Sequence, residues 1–309
     1  MSILLTGSNG FVGSRLVDRL ATQNLICAVR KKGGFGNSVT VGDITSTTDW
    51  SSCFELGNGV KVVIHCAARV HIMGDQAADP LTEFREVNTF GTLKLARQAA
   101  AAGVKRFVFI SSLKVNGEST ELNKPYHYND PYRPEDPYGQ SKAEAENGLN
   151  EIARQSDMEV VIIRPPLVYG PGVKANFASM IRLASRNLPL PLGAISNKRS
   201  LVALDNLVDL IVTCIDHPKA ANQTFLVSDD RDVSTTELLE QLTIAAGNKS
   251  CLLPVPMKLI QLAAVMIGKR AIADRLCGSL QVDISHTKNT LGWVPPLSFE
   301  QGIARCFEK

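Results

Sequence analysis

The stretch Ile3-Leu4-Leu5-Thr6-Gly7-Ser8-Asn9-Gly10-Phe11-Val12-Gly13-Ser14-Arg15-Leu16 limits the folds open to this chain more than any other. A short apolar run predicts a buried strand, and Leu16, Val17 and Leu20 then recur at helical spacing, so a helix opens at about Phe11. Between them stand three glycines, each three residues after the last. Strand, glycine turn and helix start, in that order, make a cradle for a dinucleotide phosphate. Gly7 permits the tight turn, Gly10 has no Cβ to hold a pyrophosphate off, and Gly13 lets the helix lie close on the strand. The helix N-terminus offers unpaired N–H groups and partial positive charge. The turn Gly7, Asn9, Gly10, Phe11, Val12 and Gly13 is therefore the candidate phosphate-binding segment, in a G-x-x-G-x-x-G spacing rather than G-x-G-x-x-G.

With 309 residues the chain can bury a large core, and the length suggests two lobes. The formal net charge of +3 includes no basic stripe, so nothing argues for a nucleic acid. Seven cysteines, an odd number and never in C-x-x-C, suit reduced thiols and argue against a disulfide framework or a zinc site. Neither they nor the five histidines (65, 71, 127, 217, 286) show metal-ligand spacing, and no metal is expected. A strand two residues from the N-terminus leaves no room for a secretory signal, which points to the cytoplasm. The apolar run Leu259–Gly268 is about half the length of a membrane span. It reads as a buried or interface helix, with Lys258, Lys269 and Arg270 beside it leaving a membrane-surface contact as the alternative.

Strands are predicted at 26–29, 60–67, 106–111, 160–163 and 224–228, with helices at 84–102, 138–155 and 205–216 between them. Such alternation predicts a doubly wound α/β fold, a parallel sheet covered on both faces with ligands beyond the strands' carboxyl ends. After Arg164-Pro165-Pro166 the alternation fades. Residues 1–165, with a returning segment 203–232, are expected to form the dinucleotide domain, and 166–202 with 233–309 a smaller α/β substrate lobe.

Tyr138 and Lys142, at i and i+4, share a helix face. A phenol has a pKa of about 10 and is a poor acid–base group at neutral pH. A neighbouring ammonium and a cationic nicotinamide would lower it, fitting Tyr138 to exchange a proton with a carbinol oxygen. Ser111 and Ser112 end a strand with their hydroxyls toward the crevice. Ser112 is the candidate partner of the reacting oxygen, and a capping role suits Ser111 better.

These features, together with Gly42-Asp43-Ile44, His65-Cys66-Ala67-Ala68, Asn88-Thr89-Phe90-Gly91-Thr92, Arg164-Pro165 with Val168-Tyr169-Gly170, and Leu291-Gly292-Trp293, resemble the extended short-chain dehydrogenase/reductase family of nucleotide-sugar epimerases, dehydratases and 4-keto reductases. The resemblance implies a Rossmann sheet and a catalytic set of Ser112, Tyr138 and Lys142. It places Asp43 and Ile44 at the adenine and Ala67 and Ala68 on the nicotinamide side. Lys142 falls at the nicotinamide ribose, and Pro165 and Val168 beside the nicotinamide amide. For the UDP-sugar it points to Asn176 and Arg199, with Lys114 and Arg275 as further candidates beside Ser112 and Tyr138. Arg199 suits a diphosphate because its guanidinium is a planar fork. A homodimer is implied, through helices starting near Glu86 and Tyr138, with Ala96, Ala99, Ala100, Ala143 and Ala145 allowing close packing.

Two departures bear on the reaction. Leu113 and Lys114 stand where the dehydratases carry an Asp-Glu pair, which disfavours dehydration. The second strand runs into Arg30-Lys31-Lys32 with no acid for a ribose 2′-OH, so Arg30 is expected on a 2′-phosphate and NADP(H) is favoured over NAD(H). The segments 112–118, 164–173 and 225–229 resemble enzymes of bacterial surface polysaccharide, including O-antigen lipopolysaccharide, that reduce UDP-2-acetamido-2,6-dideoxy-4-hexuloses to UDP-N-acetylquinovosamine or UDP-N-acetylfucosamine. Net 4-keto reduction is thus the leading expectation, with an NAD-dependent UDP-glucose or UDP-N-acetylglucosamine 4-epimerase as the alternative.

Overall fold

The computed structural model describes residues 1–31, 36–56, 59–70, 79–186, 188–266 and 268–308. The expected positions Lys32 and His71 lie outside these. Ten strands are described: β1 (Ser2–Thr6), β2 (Asn24–Val29), β3 (Ser38–Thr40), β4 (Val62–His65), β5 (Arg106–Ile110), β6 (Glu159–Arg164), β7 (Leu167–Tyr169), β8 (Arg199–Ala203), β9 (Gln223–Leu226) and β10 (Asp232–Val233). Seven form one sheet in the order β3-β2-β1-β4-β5-β6-β9, and every pairing in it is parallel. The chain starts in the middle of the sheet, moves to one edge, then crosses to build the other side from β4. This is the doubly wound Rossmann arrangement, and its switch of direction between β1 and β4 opens a crevice at the strands' carboxyl ends.

The central strands read as continuous apolar runs because both faces are covered. One face packs Leu5, Ile64, Val108 and Ile163 against Leu207 and Ile211 of the helix Leu204–Asp216. The other packs Leu4, Val63, Phe107 and Ile162 against Leu95 and Leu149 of helices Thr92–Ala101 and Pro137–Gln155. Strand β3 escapes the sequence pattern because it is a three-residue edge strand with no fully buried side chain.

The helix predicted at 84–102 begins earlier, at Pro80. Asp79 caps it, accepting from the amides of Leu81 and Thr82, and a proline follows the cap. The segment then widens into a π-helical stretch over Arg85–Gly91 before returning to α-helix at Thr92. A second sheet, β10-β8-β7, has β7 and β8 parallel and β10 antiparallel. It is joined to the end of β9 by Tyr169, whose hydroxyl donates to Asp229 at 2.6 Å, while Asp229 also accepts from the Ala203 amide and the Asn206 side chain. Among the described residues no helix is long and apolar enough to cross a membrane.

Of the small residues expected at a two-fold interface, four are buried within the chain and Ala100 is half-buried. Ala96, Ala99 and Ala145 have no exposed surface and Ala143 very little, because the apolar stripe of each helix faces the sheet. Gly148 lies against Leu93, so the two helices pack on each other within one chain.

Candidate active site

The glycine turn is packed closely against neighbouring backbone. Gly7 has φ +74°, and a Cβ there would meet the Ala67 amide nitrogen at 2.7 Å, which presses the turn against the end of β4. A Cβ on Gly13 would stand 2.0 Å from the Gly7 carbonyl oxygen. At Gly10, exposed at the helix N-terminus, a Cβ would meet only that same carbonyl, at 3.1 Å. No side chain caps the helix Phe11–Arg19 and its first turn holds no acid. Its leading amides therefore face the crevice with nothing negative to repel a phosphate. Asn9 is exposed on the turn, with Phe11 and Val12 half-buried behind it.

Arg30 and Asp43 form an ion pair at 2.7 Å, both largely exposed. The acid that the sequence around Arg30 lacks is thus supplied by Asp43, from the loop after β3. This corrects the expectation of an unopposed cation awaiting a 2′-phosphate. Ile44, half-buried next to Asp43, reaches Gly91, where a Cβ would meet its Cγ2 at 2.6 Å.

Tyr138 opens the helix Pro137–Gln155, capped by Asp136, which accepts from the Gly139 amide at 2.6 Å. Gly139 allows the helix to approach the turn Leu113–Val115, since a Cβ would meet the Lys114 carbonyl oxygen at 2.7 Å. That approach sets the Tyr138 ring against Phe84 at 6.0 Å and brings its hydroxyl to Ser112. Without a bound cation the phenol is pushed up, not down: burial raises it, the Asp136 carboxylate adds to this, and the Ser112 hydrogen bond only partly opposes them. Lys142, one turn on, is fully buried and donates to the Ile110 carbonyl at 2.9 Å, 4.4 Å above the Phe109 ring. Burial lowers its pKa to about 8, against smaller opposing effects of Cys66 and Glu146.

The capping role expected of Ser111 falls to Ser112, which also faces Tyr138. Ser112 accepts from the Lys114 amide at 3.2 Å and so caps the turn, while Ser111 donates to Glu146. The strand delivers Ser111 inward and Ser112 to the crevice, and capping through Ser112 fixes its hydroxyl there. Lys114 is held between Glu118 and Asp136, and although burial opposes it, these two carboxylates raise its pKa. Its charge is answered within the protein by these two carboxylates.

Sequence reasoning misses the charge pair beneath the site. Glu146 and Arg164 are both buried, with Nη2 and Oε2 at 2.6 Å. Arg164 also donates to Asn116 and the Tyr128 carbonyl. Together with Ser111, the pair joins the ends of β5 and β6 to the helix carrying Tyr138. The signal was available: Glu146 stands four residues past Lys142, a carboxylate on a face that must be buried. A second missed device is the π-helical stretch, whose Asn88 holds both backbone groups of Arg69 and donates to Ser141, while Thr89 donates to the Ser141 carbonyl. It fixes the loop after β4, with Ala67 and half-buried Ala68, relative to the Tyr138 helix. His65, its pKa lowered to about 3 by burial and by Lys142, shares hydrogen bonds with Thr6 and Thr92.

Pro165 is buried and its carbonyl accepts from Leu113 at 2.9 Å, and Val168 is half-buried on β7. In the second lobe Arg199 opens β8 and its Nη1 donates to the carbonyls of Arg275 and Gly278. Burial lowers its pKa. Arg275 is exposed on helix Arg270–Cys277. Asn176 falls in the first turn of helix Ala175–Ser185, and its side chain lies outside what is described.

Residues 3–228 match the model of the NAD dependent epimerase/dehydratase family. The chain belongs to that family. It is 56% identical over 98% of its length, and 93% of the relative's, to the UDP-glucose 4-epimerase of Vibrio cholerae. Its fold matches that of the Thermotoga maritima UDP-glucose 4-epimerase with UDP-glucose (TM-score 0.76, 23% identity, 99% and 97% of the two chains). It matches equally an Agrobacterium tumefaciens short-chain dehydrogenase/reductase superfamily protein with bound NAD (TM-score 0.76, 23% identity, 98% and 95%). The expectation of a net 4-keto reductase is overturned by the Vibrio cholerae relative, and the epimerase alternative is the better supported. The expectation rested on the resemblance of segments 112–118, 164–173 and 225–229 and on an unopposed cation at Arg30, and that cation is paired with Asp43.

Proposed function

We propose that this family member is a UDP-hexose 4-epimerase that works on a tightly held NAD. The observation that supports it is the 56% identity with a UDP-glucose 4-epimerase over nearly the whole chain. A bound nicotinamide supplies reversible hydride exchange at C4 of the sugar. In this reading Tyr138 takes the C4 hydroxyl proton and later returns one to the same oxygen. Ser112 hydrogen-bonds that oxygen, and Lys142 supplies the positive charge that favours the phenolate. Gly7, Asn9, Gly10, Phe11, Val12 and Gly13 hold the diphosphate of the dinucleotide, with Asp43 and Ile44 at the adenine and Ala67, Ala68, Pro165 and Val168 around the nicotinamide. NAD is favoured over NADP because a 2′-phosphate at Arg30 would have to displace Asp43. An epimerase returns its reducing equivalents to the same sugar and has no need to exchange cofactor.

The segments 166–202 and 233–309 form the sugar-nucleotide lobe in this proposal, and Arg199, Arg275 and Asn176 contact the UDP-sugar. A homodimer would use the outward side of helices Thr92–Ala101 and Pro137–Gln155 near Phe90, which is 47% exposed, and light scattering on the purified chain measures it. The function is tested by incubating the protein with UDP-glucose and no added cofactor, and by identifying the dinucleotide released on heating. Expected are UDP-galactose and near-stoichiometric NAD. Absence of any C4 epimer from UDP-glucose and from UDP-N-acetylglucosamine overturns the proposal.

A further inference from the structure

The helix Met257–Met266 has no buried residue, although most of its side chains are apolar. Leu259, Leu262, Val265 and Met266, at 55, 61, 52 and 81% exposure, recur at helical spacing, and Ile272 on the following helix is 54% exposed. Scattered exposed leucines need no explanation, but a run of this kind on adjoining helices does. The charge around it is one-sided. Residues 249–275 contain five Lys or Arg and a single acid, Asp274, an excess of four cations where the entire chain has an excess of three. Lys258 stands at one end of the helix and Lys269 and Arg270 just past the other, all exposed. Arg270 approaches the acid, at 3.6 Å.

We propose that this helix pair docks the protein on the surface of an anionic lipid bilayer. Ten residues make a helix of about 15 Å, half the thickness of a hydrocarbon core, so it lies in the interface rather than across it. Leucine, valine and methionine enter the acyl boundary while the cations meet lipid phosphates. A second copy of the chain is the poorer occupant. A two-fold contact through this patch would set its cationic rim against itself, with one acid per chain to answer it. The patch adjoins the candidate sugar-nucleotide site, because the carbonyls of Arg275 and Gly278, closing the second helix, hold Arg199. Docking would therefore place the sugar-binding lobe against the membrane. The inference is independent of which sugar is turned over.

The test is co-sedimentation of the full chain with vesicles of phosphatidylcholine alone or mixed equally with phosphatidylglycerol. Binding to the anionic vesicles is expected, falling several-fold on phosphatidylcholine alone or in high salt. L262E with M266E is expected to abolish it at unchanged turnover in solution. K269E with R270E should weaken it by about tenfold or more. Failure to sediment with anionic vesicles overturns the proposal, as does binding that L262E/M266E leaves intact. A wild-type oligomer that L262E/M266E dissociates, with no vesicle binding, overturns it in favour of a second copy.

Discussion

At the scale of single residues, the candidate chemistry depends on two groups whose ionisation is set against them until a ligand arrives. Tyr138 is pushed up by burial and Asp136, and Lys142 is pushed down to about 8 by burial. A cationic nicotinamide bound beside it would oppose the bias at Tyr138. Tyr138→Phe is expected to lower turnover by about 10²–10⁴-fold while the protein still releases a full complement of dinucleotide on heating. Lys142 gives a second expectation, through stability. Between the folded pKa of about 8 and the ordinary 10.5, the unfolded chain binds more protons than the folded one, so stability rises with pH across that window. Below pH 8 the folded protein bears the full cost of a buried cation. Lys142→Met should therefore be inactive yet more stable than wild type at pH 7, by about 1 kcal/mol after loss of the bond to Ile110. That lead should shrink as ligand-free samples are melted at rising pH above 8.

Elements act here by where they bring backbone close to backbone. The helix Phe11–Arg19 can approach β1 because Gly13 has no Cβ, and Gly13→Ala would force the Gly7 carbonyl out of the cradle. Dinucleotide binding is expected to fall at least about tenfold by titration, with a stability loss of about 1–3 kcal/mol. The Tyr138 helix is tied to β5 and β6 through Glu146. Glu146→Gln leaves the Arg164 guanidinium buried without its counter-charge, and should cost about 3–5 kcal/mol in denaturant unfolding. Glu146→Gln combined with Arg164→Met should recover much of that loss, which a merely bulky cavity effect would not allow. The π-helical stretch belongs to the same scale. An apolar period of 3.6 predicts one helix, and only the hydrogen bonds of Asn88 and Thr89 to neighbouring elements show why a wider turn is kept there.

Across the whole molecule, the seven-stranded sheet carries the glycine turn at the end of its first strand, and the second sheet carries Arg199 at the start of β8. The junction between them is Tyr169 with Asp229, Ala203 and Asn206, buried and fully hydrogen-bonded. Tyr169→Phe removes the hydroxyl from a buried carboxylate, an expected loss of about 1.5–3 kcal/mol by denaturant unfolding. Because it acts between the lobes and touches neither ligand site, it should raise the KM for the sugar nucleotide more than it lowers kcat.

Much of this was written locally in the chain. The strand–glycine–helix start, the apolar runs of the buried strands and the Tyr138/Lys142 spacing depend on neighbours within a few residues, so the sequence alone determined the Rossmann sheet and the principal candidate residues. It did not determine charge pairing. Arg30 meets Asp43, Lys114 meets Asp136, and Glu146 meets Arg164 across distances along the chain that no local pattern spans. Nor did it decide which small residues were free, since Ala96, Ala99 and Ala145 have the same composition whether they face a sheet or a partner. Periodicity states that a face is apolar. Only the packing of one element on another states what covers it, and at Met257–Met266 the packing leaves that face open.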